Sequence, residues 1–208
     1  EFETALEETL RTIENAQGND NIPFAVFKPT AFIRNDLLEK AGSGAPLASQ
    51  EKSEVDAFRS RIRTLCEAAY RAGIGILIDA EDAAFQDVVD AVAVENMQKF
   101  NRDKAVVFTT YQMYRCDRLE RLRDDHGHAA ENGYFLGAKL VRGAYLERER
   151  ERALERGEAS PVHVDKSSTD LDYNKAVLFC IGHIDRISVF NGTHNGLSCR
   201  YMADLMQQ

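Results

Sequence analysis

"YFLGAKLVRGAY", residues 134–145, decides the fold. Residues 134–141 are apolar or small apart from one lysine and show almost no in–out alternation. A strand reads this way when both of its faces are covered, as in a parallel sheet. The run then sets two cations, Lys139 and Arg142, beside a glycine, Ala144 and Tyr145. In parallel α/β sheets, chemistry gathers at the carboxyl ends of the strands. The stretch therefore predicts both a type of sheet and the place of a site.

Four further segments have the same character: "FAVFK" (24–28), "IGILID" (74–79), "KAVVFTT" (104–110) and "RISVFNGTHN" (186–195). Helical spacing fills the intervals. Val55, Phe58, Ile62, Leu65 and Ala69 form one stripe, and Phe85, Val88, Val89, Val92 and Phe100 another. Leu171, Leu178 and Ile181 predict a helix before the last strand, and Leu197, Tyr201 and Leu205 one after it. Phe2, Leu6, Leu10 and Ile13 predict an opening helix. "AGSGAPLASQEKSE" (41–54) reads as a long loop. "ERERERALER" (147–156) places opposite charges at i+3 and like charges at i+4, so it reads as the solvated face of an outer helix. "HGH" (126–128) reads as a surface loop, with no accompanying ligand set that would make it a metal site. Strand–helix alternation predicts a βα architecture. A closed eight-stranded barrel takes about 250 residues, so the expectation is a single partial barrel domain over 1–208, truncated at its C-terminus.

The formal net charge of −8 argues against a nucleic-acid partner. No uninterrupted apolar stretch is long enough to span a membrane. The acidic opening "EFETALEETL" lacks a signal pattern, so the chain is expected to begin inside a folded region or to have been cut there. The four cysteines form no C-x-x-C pair and read as separate buried thiols in a reducing compartment.

Each predicted strand ends in polar residues: Lys28; Asp79 and Glu81; Thr109 to Gln112; Lys139, Arg142 and Tyr145; Asn191, Thr193, His194 and Asn195. Singly they have plain explanations, Asp79 and His194 as helix caps and Lys28 as the first solvated residue after a strand. Together they predict one pocket on one rim. G-x-S-x-G, P-loop and G-x-G-x-x-G patterns are all missing. A cation-rich set with amide and hydroxyl donors suits a small anionic substrate beside a polar, electron-accepting cofactor.

"FKPTAF", "LIDAED", "TTYQMY", "KLVRGAYLERER" and "GTHN", in this order, resemble the proline dehydrogenase family, and its monofunctional type in particular. The resemblance implies a distorted (βα)8 TIM-type barrel, an α/β fold. It implies FAD as cofactor and oxidation of L-proline to Δ1-pyrroline-5-carboxylate, with electrons passing to a membrane quinone. Residue by residue, Lys28 would pair with the substrate carboxylate and Asp79 would hold Lys28. Tyr145 would pack near the substrate ring with Ala144 behind it. Gln112 would donate to the flavin, Lys139 would lie near its N5, and Arg142 one step along the strand. His194 and Asn195 would touch the cofactor. "SPVHVDKSSTDLDY" (160–173) resembles a family stretch that binds FAD and offers Lys166 and Thr169. No metal is implied. Many relatives have arginine where Lys139 stands, and a lysine lacks the bidentate fork. The family's later tyrosine and arginine pair, which clamp the carboxylate, have no counterpart before "YMADLMQQ" ends. The implied location is cytoplasmic, peripheral on the inner membrane, or on the matrix side of a mitochondrion.

The resemblance also explains the two cations. Strand residues three apart face opposite ways, so one can meet the reduced flavin and the other a phosphate or carboxylate. Three other readings are open: oxidation of 4-hydroxyproline, a cofactor-free lyase using Lys28 or Lys139 as a Schiff-base nucleophile, and a non-catalytic barrel domain.

Overall fold

A computed structural model of the chain describes residues 1–207. Helices and parallel strands alternate, and the chain divides into two compact units, Glu1–Thr109 and Thr110–Gln208.

The first unit opens with helix α1 (Phe2–Ala16), which buries Ile13 and Ala16. Strand β1 (Phe24–Phe27) follows, then a 3-10 turn over Pro29–Ala31 and helix α2 (Asn35–Gly42). The expected long loop over 41–54 is therefore shorter, because α2 takes its start and helix α3 (Ser49–Ala72) its end. Glu51 begins α3 by accepting the Ala48 N–H at 2.7 Å, and Gly73 ends it at φ +73°. Phe58, Ile62, Leu65, Cys66 and Ala69 form its buried stripe, four of them as the spacing predicts. Strand β2 (Gly75–Ile78) pairs parallel with β1, aligning Phe27 with Ile78. Helix α4 (Gln86–Phe100) leads to strand β3 (Val107–Gln112), which pairs parallel with β2.

The third strand was expected over 104–110 and lies later. Asn101 is the reason. Its Oδ1 accepts the Val106 and Val107 N–H groups, both at 2.9 Å, and its Nδ2 donates to the Val107 carbonyl. The side chain satisfies backbone that would otherwise need a sheet partner, and Gln112 ends up inside the strand.

In the second unit, helix α5 (Arg118–Asn132) precedes strand β4 (Leu136–Val141). The 126–128 histidine pair sits in α5 rather than in a loop. His126 packs against His183 at 4.5 Å between ring centroids, and His128 bonds the Tyr134 hydroxyl. Helix α6 (Leu146–Arg156) is the expected charged outer helix, but Glu149 on it is buried. Helix α7 (Lys166–Gly182), strand β5 (Ile187–Asn191) and helix α8 (Gly196–Leu205) complete the unit. β4 and β5 pair parallel, aligning Lys139 with Phe190. Helix α7 exists where predicted but buries a different face: Thr169, Tyr173, Ala176, Val177 and Cys180 point inward, while Leu171 and Leu178 are exposed. The thiols also divide differently from expectation, since Cys66 and Cys180 are buried whereas Cys116 and Cys199 are exposed.

Candidate functional site

In the first unit the alternation of strand residues sorts the polar ends. Thr109 donates its hydroxyl to Asp90 of α4 at 3.3 Å, so its side of β3 is the helix side. Phe108 points the other way and meets Phe24 edge to face, with centroids 5.6 Å apart. Gly75 faces the Phe24 ring, and a Cβ there would stand 2.4 Å from it. Phe24, Val26 and Lys28 thus share a face with Gly75, Leu77 and Asp79. Lys28 and Asp79 each lie one position beyond the Phe27–Ile78 register pair, and the Asp79 N–H donates to the Phe27 carbonyl at 3.0 Å. The unit therefore brings Lys28 and Asp79 to adjacent carboxyl ends on the face where Val26 is 52% exposed.

The loops behind them are cross-tied. Glu81 accepts the Thr30 N–H at 3.1 Å and the Thr30 hydroxyl at 2.9 Å. Gln86 accepts the Glu81 N–H and donates to Asp90 at 2.9 Å. Buried carboxylates and amides that are hydrogen-bonded hold a loop in one conformation.

In the second unit Tyr111 donates to Asp125 of α5 at 2.7 Å, so Gln112, the next residue, faces away from the helix. Beyond it the chain stays beside β4: the Met113 N–H donates to the Val141 carbonyl and the Tyr114 N–H to the Arg142 carbonyl. In β4, Leu136, Ala138 and Leu140 are buried on the helix side. Lys139 is on the opposite face, with its ammonium 5.9 Å from the Phe190 ring centroid.

Arg142 goes the other way. Its Nε donates to Asp170 at 2.6 Å, one terminal nitrogen to Thr193 at 2.8 Å, and the other to Ser198 at 3.0 Å. The guanidinium lies 4.3 Å from the Tyr173 ring centroid. It joins the end of β4 to α7, the loop after β5 and α8. Burial opposes ionisation of Asp170, but Lys166 and Arg142 bonded to it hold its carboxyl below the usual range. Burial pushes the Tyr173 phenol up to about 12.

The other expected site residues fall as follows. Tyr145 is the half-buried N-cap of α6 and Ala144 is exposed beside it. Gly143 before them has φ +123°, and a Cβ there would meet the Tyr114 ring at 2.4 Å. Lys166 is exposed at the start of α7 and bonds Asp170. Thr169 is buried against its own helix, with its hydroxyl donating to the Asp165 carbonyl at 3.4 Å. Asn195, rather than His194, caps α8 and accepts the Leu197 and Ser198 N–H groups; His194 is exposed. Sequence reasoning missed Asp170, Tyr173 and Ser198. The i, i+4 pairing of Lys166 with Asp170 was a visible signal. The buried Ser198 gave none.

Parallel strands alternating with helices, with polar side chains at the carboxyl strand ends, define an α/β fold of the TIM-barrel type. Solved structures of proline utilization A share it. One from Bdellovibrio bacteriovorus, inactivated by N-propargylglycine, superposes with TM-score 0.81 at 19% identity, covering 99% of this chain and 22% of that one. One from Bradyrhizobium japonicum superposes with TM-score 0.83 at 21% identity, covering 98% and 21%. The chain belongs to the proline dehydrogenase family, whose model matches residues 1–208. It is 34% identical over 195 residues to the carbapenem antibiotics biosynthesis protein CarD of Pectobacterium carotovorum subsp. carotovorum, covering 94% of this chain and 51% of that protein. It is 31% identical over 176 residues to human mitochondrial proline dehydrogenase 1, covering 81% and 29%. The chain thus spans about half or less of the length of these relatives.

Proposed function

We propose that residues 1–208 belong to a catalytic barrel domain that oxidises L-proline to Δ1-pyrroline-5-carboxylate with FAD as cofactor and a membrane quinone as the final acceptor. The observation that carries this reading is the placement of Lys28 beside Asp79 at neighbouring carboxyl strand ends, in a chain of this family. Lys28 is a point charge for the substrate carboxylate, and Asp79 steadies it. Tyr145 and Ala144, held by the turn at Gly143, offer a phenol and a small surface to the substrate ring. FAD, when bound, would supply the electron acceptor, taking the two electrons as one hydride.

The donor set of the second unit suits that group: the Gln112 amide, the Lys139 ammonium and the Lys166 ammonium, with His194 exposed at the start of α8. A helix N-terminus favours negative charge. Lys139 stabilises negative charge on its face of β4 and so raises the electron affinity of a flavin held there. Arg142 and Asn195 serve this set by fixing the loops and Thr169 by holding the first turn of α7, since their side chains are engaged within the chain. 4-Hydroxyproline is the alternative substrate of the same site. The match to CarD favours antibiotic biosynthesis as a second setting. Among the described residues no helix is long and apolar enough to cross a membrane. The proposed contact with the quinone pool is at the inner membrane or its matrix side.

The test is Lys28→Met. Loss of one charge-assisted pair costs about 1.5–3 kcal/mol, or roughly ten- to a hundredfold in affinity. KM for proline should rise by that factor while flavin content stays the same. An unchanged KM would remove Lys28 from the substrate site.

A further inference from the structure

Outside these residues, three polar groups from three segments of the second unit line up in one row. Cys116 is exposed on the turn before α5, and its Sγ lies 3.6 Å from His163 Nδ1. His163 Nε2 lies 3.0 Å from Asp172 Oδ2 on α7. The other oxygen, Oδ1, accepts from Lys175 at 3.1 Å.

Backbone pairing builds this row. Arg115 and Val162 form an antiparallel bridge. On either side of it the Cys116 N–H donates to the Pro161 carbonyl at 3.0 Å and the His163 N–H to the Tyr114 carbonyl at 2.7 Å. Cys116 and His163 are therefore diagonal neighbours on one side of a two-stranded ribbon, within reach of each other. Arg150 of α6 donates to the His163 and Val164 carbonyls at 2.9 and 2.8 Å and fixes the ribbon from outside.

The tautomer follows from the partners. The Asp172 carboxylate only accepts, so Nε2 carries the proton and Nδ1 presents its lone pair to the thiol. Nucleophile, base and orienting carboxylate stand in the order that nucleophilic catalysis uses. Burial, with the carboxylates of Asp117 and Asp172 nearby, pushes the Cys116 thiol up. The sulfur therefore keeps its proton until a base removes it, and His163 is the base at hand.

We propose that Cys116, with His163 as its base and Asp172 as the positioning residue, is a covalent modification site for small soft electrophiles of the α,β-unsaturated carbonyl class. In the step, sulfur forms a bond to the β-carbon and the carbon–carbon π bond breaks. The thiol proton passes to His163 Nδ1 and then to the α-carbon. The product is a thioether; nothing is oxidised and no group leaves. His163 and Asp172 lie in the 160–173 stretch, but the site uses none of the side chains assigned to proline or FAD, and its labelling is read without either.

N-ethylmaleimide is the probe, with labelling of each cysteine followed by peptide mass spectrometry on the whole chain. Cys199 is the internal reference, because it is exposed and its sulfur faces the Thr193 carbonyl instead of a base. General-base assistance predicts labelling of Cys116 about tenfold or more faster than Cys199. His163→Ala should bring Cys116 down to the Cys199 rate, and added imidazole should restore it while Cys199 stays constant. Asp172→Asn should fall between. If His163→Ala unfolds the chain, the buried Cys66 and Cys180 become labelled, and the wild-type ratio alone then decides. Cys116 reacting no faster than Cys199, or a rate unaffected by His163→Ala in a folded chain, overturns the proposal.

Discussion

Arg142 ties three segments of the second unit together with one side chain. Its three nitrogens bond residues from α7, the loop after β5 and α8. Arg142→Met keeps the stem and removes every donor, leaving the Asp170 carboxylate with only the exposed Lys166. Urea unfolding should show a loss of about 1–3 kcal/mol, at the lower part of that range because the pair is partly solvated. Stability equal to wild type would contradict the clamp. Gly143→Ala is a sharper case. Its positive φ of +123°, with the Tyr114 ring 2.4 Å from where a Cβ would stand, leaves no room for a side chain. The variant should lose about 1–3 kcal/mol, read by the same method. The sequence shows both cations of "KLVRG" and, by strand alternation, that they face different ways. Lys139 lies beside Phe190, and Arg142 lies over Tyr173. What could not be read is that Arg142 meets its carboxylate inside the chain, because Asp170 is 28 residues away and only the tertiary fold joins them.

Helix ends and faces come next in scale. Asn195 caps α8 through two backbone N–H groups, so Asn195→Ala should cost about 1 kcal/mol; thermal unfolding measures it, and no shift would mean that α8 starts without its cap. At the start of α5, Asp117 binds Arg118 and Arg115 instead of capping the helix. Burial acts against the charged form, yet the two arginines hold the carboxyl down at about 2. A depressed folded-state value stabilises the fold above the ordinary carboxylate range. That contribution fades as pH falls from about 4 through about 2. The half-exposed side chain keeps the effect modest. Asp117→Asn should therefore flatten part of the acid limb of the melting temperature against pH, and an identical acid limb would contradict this. Strand positions were legible because covered strands give unbroken apolar runs. Helix faces were less so. In α7 the visible leucines are exposed, and the buried stripe is made of Thr169, Tyr173, Ala176, Val177 and Cys180, which a search for leucine and isoleucine spacing passes over. Helix α5 was missed because its sequence is mostly polar and carries a glycine within "HGH".

At the scale of the molecule, the family and the parallel α/β fold rest on the match over residues 1–208 and on close superposition with proline utilization A. The proposed chemistry rests on strand ends: Lys28 with Asp79 in one unit, Gln112 and Lys139 on the face away from the helices in the other. The most direct measurement is an anaerobic titration of the FAD-loaded chain with L-proline, followed by the visible absorbance of the flavin. Loss of that absorbance on adding L-proline, at a concentration that leaves Lys28→Met unbleached, is the predicted result. A chain that retains no flavin, or flavin whose spectrum L-proline never changes, contradicts the account.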